Sequence, residues 1–281
     1  MFSRYARRKF VDVLVRSACV VAALIALVPL VSVLYYVTSR GIGGISLNFF
    51  TELPKPVGEA GGGMANALVG TLKLVFLACA FGIPPGVLAG VYLADFGESR
   101  FAKWVRFSAD VMSGVPSITV GIFVYALVVL QAKHFSAFAG GIALAVLMLP
   151  TVTRTTEELL RLVPESLREA ALGLGVPKWR ATLRVMLRTA APGIATGVML
   201  AIARVAGETA PLLFTAFSNP FWSSGLNEPT ASLSMNIYNY AVSPYEEWHR
   251  QAWAAALVLL VLVLLLNVTA RLLVRSRVGA R

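Results

Sequence analysis

The 281-residue chain is 57% hydrophobic and only 14% charged, with a mean hydropathy of +0.74, whereas a soluble domain carries about a quarter charged residues. Its net charge of +11 invites a nucleic-acid reading. That reading is excluded because Lys and Arg concentrate in alternate connections between apolar segments, which is the pattern of a membrane protein inserted with its positive loops inside.

A helix needs about 20 apolar residues to cross roughly 30 Å of hydrocarbon. By that measure six spans are expected, at about residues 14–37, 66–94, 113–131, 136–154, 191–217 and 252–273. The first follows Arg4, Arg7, Arg8 and Lys9. Its apolar run is too long for a secretory signal and no A-x-A-like site closes it, so it is read as a retained span. Cys19 and Cys79 both fall in spans, where they are expected to be small core residues without a disulfide. Residues 41–64, with Gly43, Gly44, Pro54, Pro56 and three consecutive glycines from Gly61, read as an outer surface loop, with Phe49 and Phe50 at the lipid interface.

The second, third and fourth spans are punctuated by Pro84 and Pro85, Pro116 and Pro150. Each proline frees a backbone carbonyl that a neighbouring helix, side chain or water has to satisfy. Lys73 lies inside the outer end of span two and is expected to snorkel. Arg100, Lys103 and Arg106 follow that span as inner-side charges. Arg154 and Glu157, just past Pro150, form a candidate pair for an anionic substrate, with a topological role for Arg154 as the alternative.

Residues 162–188 then leave the membrane on the basic side. Pro164 suits the first turn of a helix and Gly173 or Gly175 its end. Leu167, Ala171 and Leu174 recur at i, i+4 and i+7, forming one apolar stripe. A short amphipathic helix with Ala170 and Ala171 on it suits docking into a groove of a partner protein, or lying on the lipid surface.

The fifth span carries Arg204 and Glu208. Counted from Pro192, Arg204 lies about 18 Å along the helix, near the bilayer midplane. An Arg there costs about 2.5–3.5 kcal/mol on insertion scales. Glu208, at i+4, can share that cost. Pro211 cannot donate to the carbonyl of Gly207, so a helix break is expected beside the two charges. Broken helices at the midplane are where transporters bind substrates and ions. Arg204 offers a planar fork that fits two oxygens of an oxyanion, with Glu208 orienting it or accepting a proton still carried by phosphate. A structural ion pair is the alternative. Residues 218–251 form the second outer connection, where Trp222, Trp248 and Trp253 suit an interfacial aromatic belt. Arg271, Arg275, Arg277 and Arg281 place the last segment, with the N-terminus, in the cytoplasm.

The stretch EAALGLG at residues 169–175 resembles the EAA loop of binding-protein-dependent ABC importer permeases, with Glu169, Ala170, Ala171 and Gly175 at the motif positions. The family's Pro in the tail of that loop is replaced by Arg188. VGEAGGGMANALVGTL (57–72), SGVPSITVGIF (113–123), LPTVTRTTEELLRLVPESLREAALGLG (149–175) and ARVAGETAPLLFTA (203–216) narrow the resemblance to the phosphate-transporter branch. The resemblance implies an all-α, type I ABC importer permease (MetI-like) fold, as one transmembrane domain over 1–281 with its core at about 66–273. It further implies that the loop couples to an ATPase and that the chain resides, multi-pass, in a bacterial inner (plasma) membrane. Its implied partners are a second, related permease, two ATP-binding subunits that hold ATP and Mg, and an external phosphate-binding protein.

No G-x-x-x-x-G-K-[ST] motif is present, so ATP hydrolysis is assigned to partner chains and no cofactor to this one. His134 and His249 show no metal-ligand spacing, and no nucleophile–base pair lies in the spans, so neither a metal site nor catalytic residues are assigned and a membrane-embedded enzyme is disfavoured. The remaining alternatives are a permease for sulfate or molybdate and a signalling scaffold that binds the ATPase.

Overall fold

A computed structural model of the protein describes residues 4–56, 59 and 61–279. Val57, Gly58 and Ala60 of the first family-like stretch, and Arg281 of the basic tail, lie outside the described residues. All regular structure among the described residues is helical. In lipid a helix satisfies its backbone groups within one segment, which is what so apolar a chain requires.

In chain order the helices are α1 (Arg4–Gly41), α2 (Leu47–Thr51), α3 (Ala65–Asp95), α4 (Arg100–Gly114) and α5 (Ser117–Ala132, with a π turn at Tyr125–Val129). They continue as α6 (Ala137–Arg161), α7 (Glu165–Gly173), α8 (Lys178–Ala206, with a π turn at Thr182–Met186), α9 (Ala210–Leu213), α10 (Leu233–Ala241) and α11 (Glu246–Gly279). Five of these, α1, α3, α6, α8 and α11, are long and apolar enough to cross a membrane.

The expected third span, at about 113–131, is largely α5, and α4, which precedes it, meets it at 107°. Val115 and Pro116 are extended there, because Pro116 disfavours helical backbone at the residue before it. Arg106 of α4 reaches the inner part of α6, whereas Tyr125 of α5 stacks near Phe135 at its outer end. Counted together as one bent span, the two pieces bring the number of crossings to six.

The core is a seam of small residues. α3 and α6 run side by side and parallel: a Cβ on Gly86 would sit 2.9 Å from Val152 Cβ, and one on Gly90 would sit 2.6 Å from the Thr153 carbonyl. α8 closes the other side of α6, with Gly193 against Leu159 and Gly197 against Thr155. Such close approach maximises van der Waals contact where lipid supplies no hydrophobic drive between helices. Leu74, Leu144, Met148, Val152 and Val205 fill the interior.

Four expectations change. α8 begins at Lys178 rather than near Pro192, which sits inside the helix, so its first turns project beyond the membrane on the inner side. Phe49 is buried in a second, outer cluster with Met64, Leu233 and Tyr240, while Phe50 stays exposed. Cys19 lies on the exposed surface of α1, not in a core, and Cys79 is half-buried. Lys73 does not snorkel: its Nζ donates to the carbonyls of Ser223 (2.8 Å) and Gly225 (3.2 Å), pinning the outer connection onto α3.

Candidate functional site

The depth of Arg204 follows from helix register. Across the antiparallel seam Gly193 meets Leu159 and Gly197 meets Thr155, and beyond the break Leu212 meets Gly140. Each step forward along α8 matches one step back along α6, which sets Arg204 level with Met148, at the middle of α6. α8 ends two residues later. The Gly207 and Glu208 amides turn back onto the carbonyls of Arg204 and Val205, both at 3.2 Å, tightening the last turn into i, i+3 bonds. The chain resumes as α9 at Ala210, with Pro211 in its first turn, where a missing N–H does no harm. Ser234 of α10 donates to the freed Glu208 carbonyl at 2.9 Å. On the other side, a Cβ on Gly121 of α5 would sit 2.6 Å from Pro211 Cα, so the broken third crossing abuts the broken fifth.

The side chains at this break are unusual for their depth. Arg204 is 60% exposed, and its Nε stands 3.8 Å from Glu208 Oε1, too far for a hydrogen bond. Among the described residues its guanidinium makes no hydrogen bond, so its fork of donors remains open. Glu208 is mostly covered, and its carboxylate is likewise unclaimed by any hydrogen bond among those residues.

Arg154 and Glu157 sit differently. Glu157 is 2% exposed and meets three guanidinium groups: it accepts from Arg106 (2.6 and 3.1 Å) and Arg154 (3.2 Å), and forms an ion pair with Arg161 at 2.9 Å. Arg154 also donates from Nε to Asp110 at 2.8 Å. Their capacity is turned inward, fastening α4 to α6 about 9–14 Å on the inner side of the Arg204 level at 1.5 Å per residue. Arg106 and Asp110, four apart, lie on the same face of α4 as buried Ala102 and Ala109.

The loop with the EAA pattern is built as a displayed hairpin. α7 starts after Pro164 and ends in a Schellman motif: the Gly175 amide donates to the Leu172 carbonyl (2.9 Å), and the Val176 amide to that of Ala171 (3.1 Å). Gly175 has φ +79°, with nothing near its missing Cβ, so glycine is needed there for conformation rather than space. Ala171 alone of the expected stripe is buried; Leu167 is exposed and Leu174, which falls in the cap, is 85% exposed. The stripe divides because Arg168 shares Ala171's face and donates to Asp95 at the end of α3 (2.5 Å). Thr182 Oγ1 donates to the other Asp95 oxygen at 2.7 Å, so one carboxylate ties both arms of the hairpin to α3. Glu169 and Ala170 face outward, next to exposed Leu172.

A Gly175→Ala chain should lose about 1–2 kcal/mol of cap stability through left-handed strain alone. Gly175→Asn should lose less, because Asn tolerates that conformation. Thermal denaturation of the two purified variants checks the order; equal losses would mean that side-chain volume, not φ, governs the position.

Asp95 and Arg106 carry no local signal of these roles: Asp95 stands just past the expected second span, and Arg106 is one of several inner-side charges.

A family model described as "Binding-protein-dependent transport system inner membrane component" matches residues 86–278. The chain belongs to this family of importer permeases. The phosphate transport system permease protein PstA of Yersinia pestis is 50% identical over 245 residues, covering 87% of this chain and 83% of the relative. Its namesake from Xylella fastidiosa (strain Temecula1) is 46% identical over 277 residues, covering 98% and 96%.

Among solved structures, a bacterial alginate ABC transporter in complex with an alginate pentasaccharide-bound periplasmic protein aligns with a TM-score of 0.65 at 15% identity, over 95% of this chain and 96% of its own. The inward-facing MetNI methionine ABC transporter aligns at 0.58 and 20% identity, over 75% and 92%. These two establish the MetI-like permease fold. In this importer permease the break at Arg204 lies within the matched region, as does the displayed hairpin.

Proposed function

We propose that this chain is one of two permease subunits of an ATP-driven importer of inorganic phosphate, with Arg204 and Glu208 contacting the oxyanion in passage. The observation that carries the reading is an exposed guanidinium, its donors open, at mid-depth of a membrane protein. A charged group facing hydrocarbon is strongly disfavoured, so such a group lines a water-filled path. That path requires a second chain to close it, and the related permease of the phosphate system supplies it. The relatives named for phosphate transport support phosphate as the cargo. Arg204 binds two ionised oxygens through its fork. Glu208 accepts a hydrogen bond from the proton that phosphate retains and sulfate lacks.

Two ATP-binding subunits, holding ATP and Mg, engage the outward face of α7 around Glu169, Ala170 and the Gly175 cap. An external phosphate-binding protein delivers cargo on the opposite side. The chain resides in the bacterial inner membrane with both termini in the cytoplasm, a placement that the bias of Lys and Arg to alternate loops supports. Arg154 borders the inner part of the path, and buried Glu157 acts behind it, where their ion pair holds the wall.

The direct test is co-purification of the complex, reconstitution into vesicles with the binding protein, and uptake of labelled phosphate against labelled sulfate and molybdate. ATP-dependent accumulation of phosphate alone is expected. Accumulation of sulfate or molybdate instead would reassign the cargo, and ATPase binding without any uptake would make the chain a scaffold.

A further inference from the structure

The ion-pair cluster around Glu157 contains a division that the functional reading leaves unused. Of the three guanidinium groups on this buried carboxylate, Arg154 and Arg161 belong to α6, the helix of Glu157 itself. Arg106 belongs to α4, 51 positions away in the chain, and contributes both Nε and a terminal nitrogen to the same oxygen. Its remaining nitrogen reaches the Gly97 carbonyl at 3.4 Å. One turn further on, Asp110 of α4 takes Arg154. α4 is thus fastened to α6 along its length by charge rather than by large apolar side chains: only Ala102 and Ala109 of α4 are buried.

What lies at the two ends of this fastening gives it meaning. α6 ends at Arg161, three residues before Pro164 and the displayed helix α7. α4 ends at Gly114, where the 107° bend leads into α5, and α5 packs Gly121 on Pro211 beside Arg204 and Glu208. A continuous mechanical line therefore runs from the hairpin through α6, across the Arg106–Glu157 pair, up α4 and through the bend to the break in the fifth crossing.

We propose that Arg106 is a positioning residue for transport. By locking α4 to α6 it makes the two helices move as one body, so that displacement of α7 by the ATPase is delivered to the backbone beside the Arg204 site. This rests on the importer reading above. A largely buried charge pair with two nitrogens on one oxygen suits the task, since it resists shear in a way that a sliding apolar contact does not. The two discrete packings of such an interface, rather than gradual bending, carry the change.

The arrangement also supplies its own control. In Arg106→Gln, Glu157 keeps Arg154 and Arg161, so no buried carboxylate is orphaned and assembly is retained. In Arg161→Gln, Glu157 loses a partner but the tie between helices stays whole. The experiment uses the reconstituted complex with its ATPase and binding protein, and measures labelled phosphate moved per ATP hydrolysed.

Arg106→Gln is expected to keep binding-protein-stimulated hydrolysis while phosphate moved per ATP falls about tenfold, within the range that single residues contribute to such linkage. Arg161→Gln is expected to match wild type in that ratio, and Arg106→Lys, with a single donor nitrogen instead of a planar fork, to fall between. An unchanged ratio in Arg106→Gln overturns the proposal, as does an equal loss in Arg161→Gln, which would assign the effect to the charge of Glu157 rather than to the tie. If Arg106→Gln fails to assemble, the ratio in Arg106→Lys decides by the same criterion. Wild-type uptake in the same vesicles tests the importer reading separately.

Discussion

Replacing Arg204 by Lys is expected to cut phosphate uptake about ten- to a hundredfold with the complex at wild-type abundance. Lys preserves the positive charge and most of the stem, but presents a compact ammonium where Arg presents a planar fork. The loss of one charge-assisted hydrogen bond, worth about 1.5–3 kcal/mol, sets the size of the effect. The structure makes this a clean substitution. Arg204 holds Glu208 only at 3.8 Å and makes no hydrogen bond among the described residues, so little of the fold depends on its shape. A purely structural pair would tolerate the exchange, because a point charge can still sit opposite a carboxylate one turn away. Uptake by Arg204→Lys vesicles, normalised to complex content, separates the two, and wild-type uptake would remove Arg204 from the path.

The second large effect concerns folding. Glu157→Ala leaves Arg106, Arg154 and Arg161 facing one another with their common carboxylate gone, and only Arg154 retains another acid, Asp110. Breaking a buried ion pair by removing one partner costs about 3–5 kcal/mol, a large share of the stability of a typical domain. The chain should fail to accumulate in the membrane, and what accumulates should denature well below wild type. Glu157→Gln should be milder, since an amide oxygen still accepts from a guanidinium. Immunoblots of membranes and thermal denaturation of the purified complex are the measurements. Wild-type abundance and stability of Glu157→Ala would mean that water, not protein, satisfies the three arginines.

The contrast between these two positions shows what a single sequence discloses. Arg204, Glu208, Gly207 and Pro211 lie within eight residues, and their chemistry is local: a helix cannot pass Pro211 without freeing a carbonyl, and a charge pair at i, i+4 shares a face. The same is true of the loop, where Pro164, Glu169, Ala171 and Gly175 write a start, a face and a cap. Glu157 was visible only as the neighbour of Arg154, because its strongest partner comes from another helix and no periodicity links positions 106 and 157. Asp95 escaped notice for that reason as well: Arg168 and Thr182 lie 73 and 87 positions away.

Pro192 misled in the opposite direction. It reads as a helix start, yet α8 runs through it, because a membrane helix tolerates an interior proline when neighbours re-satisfy the freed carbonyl. Pro116 does break its span, since Gly114 precedes it and the polar contacts of α4 hold that piece at another angle.

The first helix of the chain leads to a different kind of conclusion. α1 has the highest mean hydropathy of the candidate spans, 2.6, and none of its apolar window is buried, whereas α6, at 1.5, is mostly enclosed. Its contacts are near its outer end, where Gly41 approaches Trp253 and Leu257 of α11 and the turn at Gly44 approaches Arg250. Those partners are made about 200 residues later, roughly 10–40 s at ordinary synthesis rates. During that interval α1 has to be at home in lipid unaided. The glycine- and charge-bearing helices α6 and α8 can emerge into a membrane where α1 and α3 are already settled. Mean hydropathy falls from 2.6 in α1 through 2.1 in α3 to 1.5 in α6 and α8, and returns to 2.5 only in α11, the late partner of α1: the segment that must wait longest for company is the one that needs it least.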